Sequence, residues 1–401
     1  MIKIWILRKI IIQQYCERIA RYDAYAILQT HCTGRGYPMK IMERIALGRT
    51  VYLVLAVVGL LVLGAVYTIF GTEADFAPSL ETVSPGESGA PSGTLPPIEE
   101  PSYSYETDII TFGGSCTTGS MLGSAVYGTF NGVLEEQGEA YFLENLADLL
   151  KSDGFTLAGI DVTLTDRELD PAEKEEREWF TSPVSAAGIF TEGGIDALSM
   201  EFSRTRDYVS EGYADTSAAL ESAGIDWCDS GKAVYRELDS GVKIAVYCCQ
   251  LREDQAENVK NWLDRAREKA DFVVLYLTDD GQSYEPTEEK MALMRSYIDA
   301  GADLVTGTNG AVLQPFEEYG GGFIAPSLGS LIDGASLYHE EYTVLLQAEL
   351  RSRNGELTDV KYSFIPCRTA DGENPWRPTP VTGESDREDV LSFLRGEKFK
   401  P

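Results

Sequence analysis

The sequence predicts an α/β domain with an added antiparallel part, displayed beyond one membrane-spanning helix and a disordered tether. Three observations carry this. Strand-like and helix-like segments alternate from Asp108 onward. Residues 51–70, VYLVLAVVGLLVLGAVYTIF, contain no charge. Charge divides around that stretch: residues 1–50 carry nine Lys/Arg and three Asp/Glu, whereas residues 72–401 carry 25 and 61.

The chain has 401 residues, 43% of them hydrophobic and 10% aromatic, enough for a sizeable core. Its net charge of −30 excludes a nucleic-acid binder, which needs a basic face. Two histidines argue against a His-rich metal site.

Twenty uncharged residues at 1.5 Å per residue match a hydrocarbon core of about 30 Å. The basic flank is N-terminal, so residues 1–50 are expected in the cytoplasm. A cleavable signal has an apolar region of only about 7–15 residues and a small-residue cleavage site. Neither feature is present, so an uncleaved single-pass anchor is expected. Met39 or Met42, followed by Glu43-Arg44, makes a more usual start than Met1, and residues 1–38 are read as a candidate upstream extension of the frame. Residues 72–106 hold six prolines and seven acids, with no base and no apolar periodicity. They read as a self-repelling tether. The expected division is a cytoplasmic segment 1–50, a transmembrane helix 51–71, a linker 72–106, an extracytoplasmic domain 107–366 and a polar tail 367–401.

Within the domain, Asp108-Ile-Ile-Thr-Phe-Gly113 reads as a strand closed by glycines. Ala140 to Leu150 reads as a helix, Phe155 to Ile160 and Ile195 to Met200 as strands. A helix over Asp215 to Ala223 is closed by Gly224. Val242 to Cys248 is a strand. Ala256, Val259, Leu263, Ala266 and Ala270 share one face of a helix. Phe272 to Leu277 is a continuous apolar strand. Thr287 caps the next helix, which has Glu288 and Glu289 in its first turn and ends at Gly301. Leu304 to Thr306 is a strand. Tyr342 to Leu350 and Leu357 to Phe364 form a strand pair. The tail reads as partly ordered, with a short helix around Asp389 to Leu394. Five cysteines follow the apolar segment: Cys116, Cys228, Cys248, Cys249 and Cys367. Adjacent Cys248 and Cys249 on a strand face opposite ways and form no simple clip. One bridge or a set of buried thiols both fit. Gly113-Gly114 and Gly320-Gly321-Gly322 lack the context of a nucleotide loop.

The order of segments from Asp108 to Gly334 resembles the CapA family of capsule and poly-γ-glutamate synthesis proteins. Ile109-Ile-Thr-Phe-Gly-Gly-Ser115 is similar to that family's first strand and Gly-Asp. Phe155-Thr-Leu-Ala-Gly-Ile-Asp161 is similar to its strand ending in Asn-Leu-Glu. Ile195 to Asp207 resembles the strand leading into Ala-Asn-Asn-His. Gly241-Val-Lys-Ile-Ala245, Asp299-Ala-Gly-Ala-Asp-Leu-Val-Thr-Gly307 and Ser327-Leu-Gly-Ser330 follow in the family's order. The resemblance implies a metallophosphatase-like α-β-β-α sandwich. It also implies a pair of divalent cations held by strand-end Asp, Asn and His residues.

Those residues are replaced here. The aspartate of Gly-Asp falls on Ser115. The Asn of Asn-Leu-Glu falls on Gly159, and its Glu on Asp161. Asn-Asn-His becomes Phe202-Ser203-Arg204. The His of His-Trp-Gly becomes Asp279, followed by Asp280. Gly-His-x-x-His falls on Gly307-Thr308-Asn309-Gly310-Ala311. His339 lies outside every motif. The glycines and strand residues that the scaffold needs remain, while the residues that the metals need have changed. The expectation is a non-catalytic, membrane-anchored protein without a cofactor, acting by binding in capsule or envelope-polymer assembly. Its degenerate site would comprise Ser115, Asp161, Ser203, Arg204, Asp279, Asp280, Thr308 and Asn309. Arg204 would supply positive charge beside Asp161 or Asp279; neutralising nearby acids is its alternative role. The expected partners are the membrane, an envelope polymer or capsule-synthesis proteins, and no nucleic acid. Two other readings stay open. One is a divergent metal-dependent phosphoesterase keeping a weak Mg²⁺ or Mn²⁺ on Asp161, Asp279 and Asp280, an oxygen set that also suits Ca²⁺. The other is an envelope adhesion module unrelated to capsule.

Overall fold

A computed structural model describes residues 105–124, 128–172, 179–279, 281–335, 340–372 and 374–401. The expectations for residues 1–104, including the cytoplasmic segment, the membrane span and nearly all of the linker, lie outside the described residues, as do Asp280 and His339. Among the described residues, no helix is long and apolar enough to cross a membrane.

The first strand, β1 (Tyr105–Thr117), begins at the end of the expected linker. It lies inside a large sheet with β3 (Phe155–Ile160), β6 (Ala197–Ser199) and β7 (Asp226–Cys228) on one side. On its other side are β15 (Tyr342–Arg353), β16 (Glu356–Arg368) and the short β17 (Thr379–Pro380). The β1–β3–β6–β7 run is parallel, and β15–β16 is an antiparallel hairpin. Asn354 and Gly355 turn that hairpin with φ of 53° and 84°, the left-handed pair that a two-residue turn demands.

The second sheet orders β12 (Glu317–Tyr319), β13 (Gly322–Ala325), β11 (Leu304–Asn309), β10 (Phe272–Asp279), β9 (Lys243–Gln250) and β8 (Val234–Glu237). Its β9, β10 and β11 are parallel. A small third sheet joins β2 (Ser120–Met121), β5 (Phe180–Ser182) and β4 (Thr163–Leu164). Strand β14 (Ser330–Asp333) pairs with the far half of β1.

Side-chain alternation explains the layering. On β9, Ile244, Val246 and Cys248 join the core between the two large sheets, whereas Ala245, Tyr247 and Cys249 face helices. On β10, Phe272, Val274 and Tyr276 point inward and Val273, Leu275 and Leu277 outward. The outward set packs on α5 (Ala256–Arg267) and α6 (Glu288–Asp299) through Val259, Leu263, Met291 and Met294. The first sheet's outer face carries α1 (Phe130–Gln137), α2 (Glu144–Leu150), α3 (Gly188–Gly193) and α4 (Val209–Ser222). The result is a mixed α/β fold of several sheets, layered helix–sheet–sheet–helix and consistent with a metallophosphatase-like domain. Helix α4 starts six residues ahead of the sequence expectation. Gly212 is a close-packing residue there, since a Cβ would strike Tyr208 and Thr163.

The expected boundary at residue 366 needs correction. Strand β16 runs on to Arg368, and Cys367 is buried. Helix α7 (Glu384–Leu394) inserts Val390, Phe393 and Leu394 into the inter-sheet core. Those three residues form an i, i+3, i+4 stripe too short to stand out among charged neighbours. The Phe316 amide donates to the Leu394 carbonyl at 2.9 Å and ties this helix down.

Cys228 on the edge strand β7 and Cys248 on β9 form a disulfide across the core, with Cα atoms 5.6 Å apart. It joins the two large sheets. Cys116, Cys249 and Cys367 are buried free thiols. Burial pushes all three thiols up, that of Cys367 to about 12. Alkylation of the native chain followed by peptide mass spectrometry is therefore expected to leave these three unlabelled and to find the Cys228 and Cys248 peptides joined. Because the bridge spans 20 residues, reducing it is expected to cost about 3 kcal/mol of stability in a urea titration.

Candidate functional site

Parallel strands gather ligand-facing groups at their carboxyl ends. Here the carboxyl ends of β3 and β6 in one sheet meet those of β9, β10 and β11 in the other. The backbones come very close. Gly114 has no room for a Cβ, which would run into the Gly329 carbonyl, and the Ser115 amide donates to that carbonyl at 3.2 Å. The Tyr276 hydroxyl donates to the Gly113 carbonyl at 2.9 Å across the sheets. Thr278 Oγ1 donates to the Glu201 carbonyl at 3.2 Å and stitches the same edge.

Phe202 fills the space between. Its ring lies where a Cβ on Gly159 would be, and the Tyr276 hydroxyl is 3.3 Å from that same point. The sheets are therefore closed by an aromatic plug at two positions where the family resemblance implies ligands.

Asp161 follows β3 directly and is buried. One carboxylate oxygen accepts from the Arg204 amide at 3.1 Å, and the other accepts from Arg204 Nη1 at 2.5 Å. Arg204 sits in a 3-10 turn, Ser203–Arg206, fixed further by Thr163 Oγ1 donating to the Arg204 carbonyl at 2.9 Å. Its guanidinium lies 4.9 Å from the centre of the Phe180 ring. Burial pulls the guanidinium pKa down, but the Asp161 charge and hydrogen bond more than offset this, and the net shift is upward. Arg204 therefore stays charged and holds Asp161. Its side chain is still 30% exposed. Ser203 and Arg206 are exposed on the same turn, and Arg206 lies over Tyr213 at 4.3 Å.

Asp279 ends β10 and is not part of the Arg204 pair. It forms an ion pair and hydrogen bond with Lys290 Nζ. Thr308 and Asn309, both buried, line a small pocket with Asp279 and Lys290. Asn309 Nδ2 donates to the Ser283 carbonyl at 3.0 Å, while its Oδ1 is buried without a donor among the described residues. Ser115 bonds Ser330 through their hydroxyls at 3.0 Å. The structure thus separates the expected residues into two sets. Asp161, Ser203 and Arg204 lie on one side of the Phe202 plug. Asp279, Thr308 and Asn309 lie at the end of the second sheet.

The sequence reading did not single out Lys290. A signal existed: a base in the first turn of a helix opposes the helix dipole and needs a nearby acid. The role of Phe202 was hidden because aromatics at strand ends are ordinary core residues.

These residues do not fit a dinuclear metal centre. The two carboxylates are engaged by a guanidinium and an ammonium, and Phe202 fills the space between the sheets. Among the described residues no group of three or more His, Cys, Asp or Glu is placed to hold a metal ion.

Fold and site together define an α/β domain built on two large sheets, consistent with metallophosphatase-like layering, with internally paired strand-end carboxylates. The family model of the bacterial capsule synthesis protein PGA_cap matches residues 110–335, more than half of the chain, and the chain belongs to that family. It is 23% identical over 314 residues to the capsule biosynthesis protein CapA of Bacillus anthracis, covering 71% of this chain and 74% of that protein. It is 21% identical over 271 residues to the PGA biosynthesis protein CapA of Bacillus subtilis strain 168, covering 61% and 70%. A hypothetical protein from Thermus thermophilus aligns with 64% of this chain and 99% of its own, at 16% identity and a TM-score of 0.41.

The plug makes a direct stability prediction. Gly159→Ala is expected to destabilise the protein by about 2 kcal/mol through overpacking against Phe202. In a Phe202→Ala background the same change is expected to cost far less, so a urea-denaturation double-mutant cycle reads the contact.

Proposed function

We propose that the protein is a membrane-anchored, extracytoplasmic member of its family, acting in capsule or envelope-polymer assembly by binding rather than by hydrolysis. The observation that carries this is the self-neutralised strand end: Arg204 on Asp161, Lys290 on Asp279, and Phe202 between the sheets. A hydrolytic centre of this fold needs exposed oxygen and imidazole ligands converging on metal. Here the convergence point is aromatic.

Support for the anchor comes from the uncharged stretch 51–70 and the basic segment before it. The Cys228–Cys248 disulfide agrees with an oxidising compartment. The ligand class follows from charge. Residues 72–401 carry an excess of 36 acids, which repels a polyanion over about 8 Å at physiological salt. A polyanion would therefore need local positive charge, and the Ser203–Arg206 turn supplies one exposed guanidinium, that of Arg206, near exposed Ser203, since Arg204 is engaged by Asp161. Planar guanidinium forks match carboxylates. Poly-γ-glutamate, a carboxylate polymer, is the proposed ligand; the Bacillus subtilis relative is named as a PGA biosynthesis protein.

Titration of the full-length chain in detergent with purified poly-γ-glutamate tests this. Arg206→Glu is expected to weaken binding about 10-fold, equivalent to about 1.4 kcal/mol, while EDTA leaves it unchanged. Phosphoester turnover that requires Mn²⁺ and disappears in Asp279→Asn would establish the hydrolase reading instead.

A further inference from the structure

We infer that Tyr213 is the positioning residue for the exposed Arg206 guanidinium, and that the Cys228–Cys248 disulfide holds Tyr213 through the two residues flanking Cys228. This deepens the binding reading above and rests on it.

Arg206 is exposed, and its guanidinium carbon lies over the Tyr213 ring, 4.3 Å from the centre. A cation in that place is attracted by the negative face of the ring. An arginine fixed before its ligand arrives loses less rotamer freedom on binding than a loose one. The value of Arg206 to a carboxylate ligand therefore depends on how firmly Tyr213 is held.

Tyr213 stands on α4 and is clamped from two directions. Its hydroxyl donates to Asp229 Oδ2 at 2.5 Å. The Trp227 ring meets it edge-on, with centres 6.2 Å apart and planes at 88°. Burial and the Asp229 carboxylate push the Tyr213 hydroxyl up, so it keeps its proton and stays a donor. Trp227 and Asp229 are the chain neighbours of Cys228, which is fully buried and bridged to Cys248. Strand β7 ends at Cys228 and is the last strand of its sheet, paired with β6. The bridge ties that sheet end covalently to β9.

The turn after Cys228 is pinned as well. Asp229 Oδ1 accepts from the Gly231 and Lys232 amides, both at 2.8 Å, which fixes the rotation of the carboxylate. The Ser230 amide donates to Glu201 Oε1 at 2.5 Å. The Ser230 carbonyl accepts from the Tyr247 hydroxyl at 2.7 Å. Tyr247 precedes Cys248, so both ends of the bridge grip one turn. On the other flank, Trp227 Nε1 donates to Glu221 at 3.0 Å, and Lys232 Nζ lies 3.7 Å from the Trp227 ring centre. The order of dependence runs from the disulfide to Trp227 and Asp229, from these to Tyr213, and from Tyr213 to Arg206.

The test uses the full-length chain in detergent, ¹⁵N-labelled in arginine alone. The Arg206 Nε–H signal is assigned by its loss in Arg206→Gln. In the wild type the Tyr213 ring current is expected to move it upfield. Tyr213→Leu, and Cys228→Ala combined with Cys248→Ala, are expected to return it toward the position of a free arginine. Two milder variants guard against a folding failure. Tyr213→Phe keeps the ring and loses the Asp229 bond; Asp229→Ala keeps the bridge and cuts its link to Tyr213. Each is expected to lose part of the shift. In poly-γ-glutamate titrations, Tyr213→Leu is expected to weaken binding about 5-fold and to add little in an Arg206→Gln background. An Arg206 signal that is unshifted in the wild type, or unmoved by Tyr213→Leu, overturns the positioning role whatever the polymer does. A signal unmoved by Asp229→Ala and by loss of the two cysteines overturns the part given to the bridge. If the signal behaves as expected but the wild type binds no polymer, the ligand reading falls and the positioning of Arg206 stands.

Discussion

A carboxylate held at the shielded end of a parallel strand must meet positive charge, and Asp161 and Asp279 both stand in that position. Without a partner, the buried Asp161 would carry an uncompensated desolvation cost. The chain answers with its own cations. Arg204 reaches Asp161 through a 3-10 turn that Asp161 itself caps, so backbone and side chain are fixed by one carboxylate. Lys290 reaches Asp279 from a helix end. With both acids neutralised internally, the gap between the strand ends is free to be filled with carbon, and Phe202 fills it.

That closure depends on glycines as much as on the plug. Gly114 lets two backbones approach, and Gly159 leaves room for the Phe202 ring. Tyr276 and Thr278 then bridge the sheets by hydrogen bonds to the Gly113 and Glu201 carbonyls. The Cys228–Cys248 disulfide binds β7 to β9. α7 adds Val390, Phe393 and Leu394 to the core between the sheets. These ties hold the strand ends beside the Ser203–Arg206 turn, on which Ser203 and Arg206 are exposed.

Much of the fold was legible from periodicity. Strands β9 and β10 are apolar because both their faces are covered, and they stand out as near-continuous hydrophobic runs. The Thr287 cap is a local signal that the structure keeps. The last 35 residues were harder to read. The three core residues of α7 depend on a tertiary surface that no local pattern reveals. The site was half legible. The Arg204–Asp161 pair follows from placing the residues in the family's segment order. Lys290 could have been found only by asking why a base sits in a first helical turn. Phe202 required the geometry of Gly159.

The measurement that bears most directly on this account is anomalous diffraction from crystals of the protein grown with Mn²⁺. The account predicts no anomalous peak at the carboxyl ends of β3 and β10, with Arg204 on Asp161, Lys290 on Asp279 and the Phe202 ring over Gly159. One or two peaks between those strands, with Arg204 and Lys290 turned away, would contradict it.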